Sequence, residues 1–458
     1  MFFEVIRSEG LAQNAYLVGD GTVAAVIDPG RDVDRHVAAA HAHGARITTI
    51  FETHRNEDCV SGARDLAQRT GAHVWRGHSD DYRVPYAGTV EDGQRFDVGS
   101  VRLWALSTPG HTDDSISIAF AHQETGESAV GVFTGDALFV GDVGRTDLYP
   151  DRREQTAGLL YDSLHGKLLL LGDHVAIHPA HGAGSVCGSG IAKREASTIG
   201  YERRHNPRLR LDRAAFVAAK VAEHHYQPPY FRRMEAANLG DITALPTLPD
   251  CWPLTVAAVD RAWAAGAQLL DLRNDQALAG GAIPGAVAVP IDMLSSFGGW
   301  FLDYDRPLIL ILDRPEQRER AVRLLARLGY DRIQGYLADG FGAWSTAAKP
   351  VSAIPGIDVH ALHRQVQSNA PPLLLDVRSR DEFATGHLPA ALHVYVGEIE
   401  QRLGAIPSGP VVAYCASGRR ALVAAAALVR FGRADVSVCW GSIEAWKAAG
   451  YPLADVES

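Results

Sequence analysis

RITTIFETHRNEDC, residues 46–59, carries an apolar strand pattern into a run of polar donors, Thr53-His54-Arg55-Asn56-Glu57-Asp58-Cys59. The helix-like SGARDLAQRTG follows closely, so these donors sit on a loop between a strand and a helix, where scaffolds commonly place chemistry. Working outward, the same arrangement recurs from Met1 to about Arg210. NAYLVGD, TVAAVIDPG, RLWALSTPGH, AVGVFTGDALFV and HVAIHPAHG are short apolar strands that each end in a polar cluster containing His or Asp. Strands alternating with turns and a few helical stretches predict an α/β sandwich with its chemistry at the strand ends.

At roughly 150 residues per domain, 458 residues predict about three domains. Apolar residues make up 47% and charged ones 21%, enough for several buried cores and without a disorder signature. Lys plus Arg number 44 against 54 for Asp plus Glu, a net charge of -10 that repels phosphate backbones and anionic lipid surfaces. Nucleic acid and membrane are therefore not expected as partners. MFFEVIRSEG has no basic segment leading into an apolar run, and no stretch approaches roughly 18 uninterrupted apolar residues, which makes cytoplasmic localisation the expectation. Five scattered cysteines, Cys59, Cys187, Cys251, Cys415 and Cys439, argue against a disulfide framework and for reduced thiols.

Residues 232–254 lose periodicity and carry three prolines, as a connecting segment should. The expected division is therefore residues 1–232, a linker at 233–254, and two further domains at 255–352 and 353–458. Those last two repeat one another. LLDLRNDQALAGGAIPGAVAVPIDML, from Leu269, resembles LLDVRSRDEFATGHLPAALHVYVGEI, from Leu374, at an offset of 105 residues. PLILILD from Pro307 aligns with GPVVAYC from Gly409, and GFGAW ending at Trp344 with GSIEAW ending at Trp446. Buried apolar strands alternating with helices predict a parallel sheet with helices on both faces in each copy.

In the last copy Val411-Val412-Ala413-Tyr414 runs into Cys415-Ala416-Ser417-Gly418-Arg419-Arg420 and then a helix. A strand thus delivers a thiol to a helix amino terminus, where unpaired N–H groups favour a thiolate and any anion bound to it. This is chemistry for sulfur transfer. The corresponding stretch of the middle copy, Leu310 to Gln317, has no cysteine and cannot carry sulfur. Its expected role is to pack between the catalytic units and set their separation, or to help the chain form a homo-oligomer.

The amino-terminal cluster resembles the metallo-β-lactamase superfamily, whose pattern here is T-H-x-H-x-D-H. Asn56 and Cys59 stand where two of its histidines belong; His54 and Asp58 match. Pro109-Gly110-His111-Thr112, Phe133-Thr134-Gly135-Asp136-Ala137-Leu138 and Pro179-Ala180-His181-Gly182 match later positions. The implied fold is an αββα sandwich. STPGHT, FTGDALF, GRTDL, HPAHG and RHNPRL make about 210 residues similar to persulfide dioxygenases and their glyoxalase II-like relatives. That resemblance implies a mononuclear Fe(II) held by His54, His111 and Asp136, with Asp58 and His181 orienting ligands or bound water. Arg145 is a candidate for an anionic substrate tail or for pairing with Asp147. Cys187, in a glycine-rich loop, is a candidate persulfide carrier at the site mouth or a small loop residue.

The last 100 residues, with C-x-S-G-x-R at Cys415–Arg420, resemble a rhodanese. The resemblance implies that Cys415 is the nucleophile and persulfide carrier, with the Ser417, Gly418 and Arg419 amides and Arg420 steadying an anionic donor. The middle copy then reads as an inactive rhodanese-like domain. Together the units imply a persulfide dioxygenase-sulfurtransferase acting on low-molecular-weight thiols and persulfides, thiosulfate or sulfite. The alternatives are a rhodanese whose first domain is a zinc hydrolase of the glyoxalase II kind, with Zn as the metal, or a metal-free scaffold.

Overall fold

The computed structural model describes residues 1–126, 128–188 and 190–454. The chain divides into two compact units: Met1–Leu248 with Ala326–Gly329, and Pro249–Leu325 with Tyr330 onward.

The first unit holds two six-stranded sheets. One is β1 (Phe2–Ser8), β2 (Gln13–Asp20), β3 (Val23–Ile27), β4 (Arg46–Glu52), β5 (His73–Arg76) and β6 (Ala87–Thr89), in that spatial order. The other is β7 (Arg95–Val98), β8 (Val101–Ser107), β9 (Ile116–His122), β10 (Gly131–Gly135), β11 (Ala176–Pro179) and β12 (Ser197–Thr198), likewise in sequence order across the sheet. Strand pairing is mixed: β1 to β3 are antiparallel and β3 to β6 parallel, while only β10 and β11 run parallel in the second sheet.

Period-2 alternation decides what each strand residue faces. Tyr16, Val18, Ala25 and Ile27 pack with Phe51, Leu103, Ile118 and Phe133 between the sheets. Their neighbours Ala15, Leu17, Ala24 and Val26 turn the other way, onto Ala40, Ala63 and Leu66 of the helices Asp34–Ala42 and Ala63–Thr70. On the second sheet Ala119, Val132 and Ile177 pack against Leu160 and Leu164 of helix Arg153–Gly166. The result is the αββα layering that the sequence leads one to expect.

The second unit contains two sheets of five strands each. The first is β13 (Pro253–Leu254), β14 (Gln268–Asp271), β15 (Val287–Ala288), β16 (Leu308–Ile311) and β17 (Ile333–Leu337), ordered β13-β17-β16-β14-β15. The second, β18 (Gly356–Ile357), β19 (Leu373–Asp376), β20 (Leu392–His393), β21 (Val411–Tyr414) and β22 (Val436–Cys439), repeats it as β18-β22-β21-β19-β20. Every pairing is parallel. Strands β14, β16 and β21 are buried along their whole length, as helices on both faces require.

The repeat extends to side chains. Arg273 pairs with Asp271 and donates to Gly281 O at 2.6 Å; Arg378 pairs with Asp376 and donates to Gly386 O at 2.8 Å. Trp344 and Trp446 donate their indole N–H to Pro350 O and Pro452 O, both at 2.9 Å.

The expected linker, 233–254, is only partly a connection. Helix Phe231–Asn238 overlaps its start, and the first unit continues to Leu248. Asn238 donates its side-chain amide to Asn56 O (2.7 Å) and Cys59 O (2.8 Å) and accepts from the Ser61 N–H (2.8 Å). Those backbone groups in the 54–61 loop would otherwise be buried without partners, which is why this stretch packs down. All five cysteines are free. Among the described residues no helix is long and apolar enough to cross a membrane.

Candidate functional site

Four strands of the first unit deliver donors from their carboxyl ends: His54 after β4, His111 after β8, Asp136 directly after β10 and His181 after β11. With Glu57 and Asp58 they form one buried cluster, none more than 2% exposed.

What each ring's Nδ1 touches fixes its tautomer. His111 Nδ1 lies 2.9 Å from Arg145 O, which only accepts, so it carries the proton. His181 Nδ1 donates to Asp136 at 2.8 and 3.0 Å. Thr53 gives its hydroxyl proton to Asp28 Oδ2 (2.8 Å) and so accepts from His54 Nδ1 at 2.9 Å. Each neutral ring then presents a lone pair at Nε2, the form that binds a metal. None of the three Nε2 atoms has a hydrogen-bond partner.

His54 Nε2 is 3.7 Å and His111 Nε2 3.6 Å from Asp136 Oδ2, and His111 Nε2 is 3.3 Å from Glu57 Oε2. Ligands about 2.1 Å from one cation and at right angles to each other lie about 3 Å apart, so a small inward movement closes this set on one ion. Glu57 Oε2 and both oxygens of Asp58 also lack hydrogen-bond partners, and carboxylates left so deep in a protein are costly without a cation. Burial opposes charge on Glu57 and His111, but their mutual contact outweighs it. Glu57 is held below the usual carboxylate range and His111 above the usual imidazole range. Burial likewise works against the Asp136 anion, yet His181 and His54 draw it below the usual carboxylate range. The donors therefore suit a divalent cation.

Two donor groups can be distinguished. His54, Glu57 and His111 form one; Asp58, His181 and Cys187 form the other, with the donor atoms of each group within 4.8 Å of one another. Glu57 occupies a position the superfamily pattern leaves unspecified, so the motif does not point to it. Its only signal was a carboxylate between Asn56 and Asp58 on the same loop. Cys59 is buried but joins neither group among the described residues.

Arg145 and Cys187 each carried two readings, and the contacts agree with one of each. Arg145 pairs with Asp147, its Nε and Nη2 donating at 2.7 and 2.9 Å, and the rest of its guanidinium faces the Val186 and Tyr226 carbonyls. It meets the cluster through its backbone oxygen, on His111. Cys187 does not lie at a site mouth. It is wholly buried, with Sγ 3.6 Å from Glu57 Oε1.

In the second unit β21 delivers Cys415 to a loop that turns at Gly418 into helix Arg419–Arg430. Gly418 has φ +112°, a conformation that favours glycine, and its N–H points at Cys415 Sγ from 3.1 Å. The Cys415 N–H donates to Ser442 Oγ (3.1 Å), and that hydroxyl donates to Cys439 O (2.7 Å). Arg420 is bound at both terminal nitrogens to Glu382, each 2.6 Å, and Arg419 Nε donates to Asp275 of the preceding copy at 2.9 Å. A cavity of about 560 Å³ beside the loop is lined by Asp275, Gln276, Ala279, Ser417, Arg419 and Trp440. In the middle copy Ile311 pairs with Asp271 as Tyr414 pairs with Asp376, which places Leu312 where Cys415 stands.

The description "Metallo-beta-lactamase superfamily" matches residues 9–173, and "Rhodanese-like domain" matches 255–347 and 358–449. A hydroxyacylglutathione hydrolase of Anaeromyxobacter dehalogenans is 31% identical over 242 residues, 47% of this chain and 88% of the relative. The mitochondrial persulfide dioxygenase ETHE1 of Bos taurus is 29% identical over 210 residues, 44% of this chain and 73% of the relative. A solved metallo-beta-lactamase from Staphylococcus aureus subsp. aureus COL is 31% identical with a TM-score of 0.66, covering 74% of this chain and 98% of its own.

Proposed function

Because the chain belongs to the metallo-beta-lactamase superfamily through its first unit and carries two rhodanese-like domains in its second, we propose that it is a persulfide dioxygenase-sulfurtransferase. Its substrates are low-molecular-weight persulfides, oxidised at one iron held by His54, His111 and Asp136, and sulfane sulfur moves through a persulfide on Cys415. The observation that carries the reading is the convergence of two buried, partner-free nitrogens, His54 Nε2 and His111 Nε2, on Asp136 Oδ2.

An iron there would be held by His54, His111 and Asp136 and would supply redox chemistry between the persulfide sulfur and O₂. The chain's own residues prepare that site. Thr53, the Arg145 carbonyl and Asp136 keep all three imidazole lone pairs directed inward, and burial keeps bulk water away from the reacting sulfur. The net reaction converts persulfide, O₂ and water to thiol, sulfite and two protons.

At the other site the Cys415 thiolate attacks the outer sulfur of thiosulfate. A sulfur–sulfur bond forms on Cys415, the old one breaks, and sulfite leaves with the electron pair. The Gly418 N–H and the amino end of helix Arg419–Arg430 stabilise the resulting persulfide anion. A thiol then takes the sulfane sulfur and becomes a substrate for the first site.

Oxygen uptake on adding glutathione persulfide to the iron-loaded chain tests this reading. Uptake that His111→Ala abolishes and Cys415→Ser leaves largely intact supports it. Thioester hydrolysis by a zinc form with no oxygen uptake overturns it.

A further inference from the structure

We propose that the cavity beside the Cys415 loop receives the thiol that unloads the carrier, and that Asp275, from the copy without a cysteine, selects thiols bearing a nearby ammonium group. The inference rests on Cys415 as a sulfur carrier and names the class of acceptor it serves.

Each copy supplies one wall of this cavity of about 560 Å³. Asp275, Gln276 and Ala279 come from helix Asp275–Gly280; Ser417, Arg419 and Trp440 come from the surroundings of Cys415. The cavity adjoins the reacting sulfur through the loop itself. Ser417 and Arg419 flank Gly418, whose N–H meets Cys415 Sγ, and a Cβ on Gly418 would lie 3.5 Å from the Trp440 ring. Cys415 is only 1% exposed, but a persulfide sets its outer sulfur one S–S bond, about 2.05 Å, beyond Sγ.

Charge decides what the cavity takes. The loop N–H groups serve the sulfur, whereas the cavity walls meet whatever the incoming sulfur is attached to. Both guanidinium groups that follow the loop are already answered by carboxylates. Glu382 holds Arg420, while Arg419 Nε donates to Asp275 Oδ2 at 2.9 Å and its Nη2 lies 3.8 Å from Asp292. An anionic acceptor therefore meets no uncompensated cation among the described residues lining the cavity. Asp275, by contrast, retains acceptor capacity. A carboxylate offers about four lone-pair sites, yet Oδ1 makes no hydrogen bond and the side chain is 27% exposed. Trp440, 38% exposed, adds an indole, the aromatic ring that best attracts a cation.

The repeat shows that the fold does not require an acid at this position. At the offset of 105 residues Asp275 corresponds to Arg380, each the first residue of its helix. Arg273 and Arg378, two positions earlier, keep the same carboxylate and carbonyl partners in both copies. The sign of the charge thus changes at a residue that, in the middle copy, lines the cavity.

In the transfer step the acceptor thiolate attacks the outer sulfur of the Cys415 persulfide. A sulfur–sulfur bond forms to the acceptor, the bond on Cys415 breaks, and Cys415 leaves as a thiolate with the electron pair. Asp275 and Trp440 hold the ammonium of the acceptor while this happens.

The test loads full-length protein with inorganic polysulfide and follows loss of the sulfane sulfur from the Cys415 peptide by mass spectrometry. Cysteamine, 2-mercaptoethanol and 3-mercaptopropionate present an ammonium, a hydroxyl and a carboxylate on similar short chains. Each rate is compared between variant and parent, which cancels the thiol's own reactivity. Asp275→Asn should slow unloading by cysteamine about two- to fivefold, the yield of a part-exposed ion pair, leave 2-mercaptoethanol unchanged and speed 3-mercaptopropionate. Arg419→Gln should shift the two charged thiols the opposite way. Damage to the fold would slow all three thiols alike in both variants, and that result, or ratios that do not follow charge, overturns the proposal. Polysulfide bypasses thiosulfate and the first site, so failure of either leaves these ratios readable. A Cys415 that takes up no sulfur overturns the carrier role and this proposal together.

Discussion

His181 Nδ1 lies 2.8 and 3.0 Å from the two carboxylate oxygens of Asp136, so a single proton holds together donors that arrive from two different strands. Every ring in the cluster is fixed in this way, by a carboxylate at His181, a backbone carbonyl at His111 and a hydroxyl at His54. Metal affinity should consequently depend on the Thr53 hydroxyl and the Arg145 carbonyl, neither of which touches the metal.

Thr53 offers the cleanest test. Thr53→Val keeps the β-branched shape and the backbone N–H that donates to Asp28 Oδ1 at 2.7 Å, but removes the acceptor for His54 Nδ1. Affinity for iron or zinc should fall roughly 10–100-fold with the fold intact. Competition against a chelator measures it, and unchanged affinity would show that the hydroxyl does not orient the ring.

Gly144 lies where a side chain has no room. A Cβ there would sit 1.9 Å from Asp136 O and 3.3 Å from the His111 Cβ. Gly144→Ala should displace Asp136, costing about 1–3 kcal/mol of stability and lowering the metal content of purified protein. Thermal melts and metal analysis read the two effects; full metal content in a well-folded variant would contradict this placement of Asp136.

Gly418 combines positive φ with the N–H that meets Cys415 Sγ. Alanine at φ +112° is strained by about 1–3 kcal/mol, and relief of that strain turns the N–H away from the sulfur. Gly418→Ala should lose most thiosulfate sulfurtransferase activity while leaving oxygen uptake with persulfide unchanged. Retained transfer would mean that this amide does not stabilise the thiolate.

The Arg420–Glu382 pair gives the second unit an acid-sensitive contact. Burial raises the Glu382 pKa, but the hydrogen bonds and charge of Arg420 and the hydrogen bonds with Ser379 together outweigh it and lower it from 4.5 to about 2. A carboxylate depressed on folding adds stability above its ordinary pKa and loses it as the pH falls through the folded value. The melting-temperature gap between the parent and Glu382→Gln should therefore be full at pH 6, shrink below about pH 4.5 and close near pH 2. Both side chains are partly exposed, so the gap should be modest and should narrow in salt. A gap that does not change with pH would rule the pair out as its source.

Much of the architecture was legible from local pattern. Alternation in NAYLVGD and TVAAVIDPG specifies strands with two buried faces, and those faces do separate into the inter-sheet core and the helix-covered layer. The offset between Leu269 and Leu374 announces a repeat, and the matching sheet orders follow from it. The placement of Asn238 was not legible. Its neighbours lack periodicity, and nothing local shows that an amide there answers backbone groups near position 56. Arg145 was ambiguous because a guanidinium fits a substrate or a carboxylate equally well until its neighbours are known.

The sequence by itself determined which donors stand at which strand ends and that Cys415 opens a helix, because strand periodicity and helix-start chemistry act over a few residues. Only the tertiary structure decided that Glu57 faces His111 and that Cys187 approaches Asp58 and His181. Loop side chains take their direction from whatever packs above them, and contacts made across 130 positions leave no periodic trace along the chain.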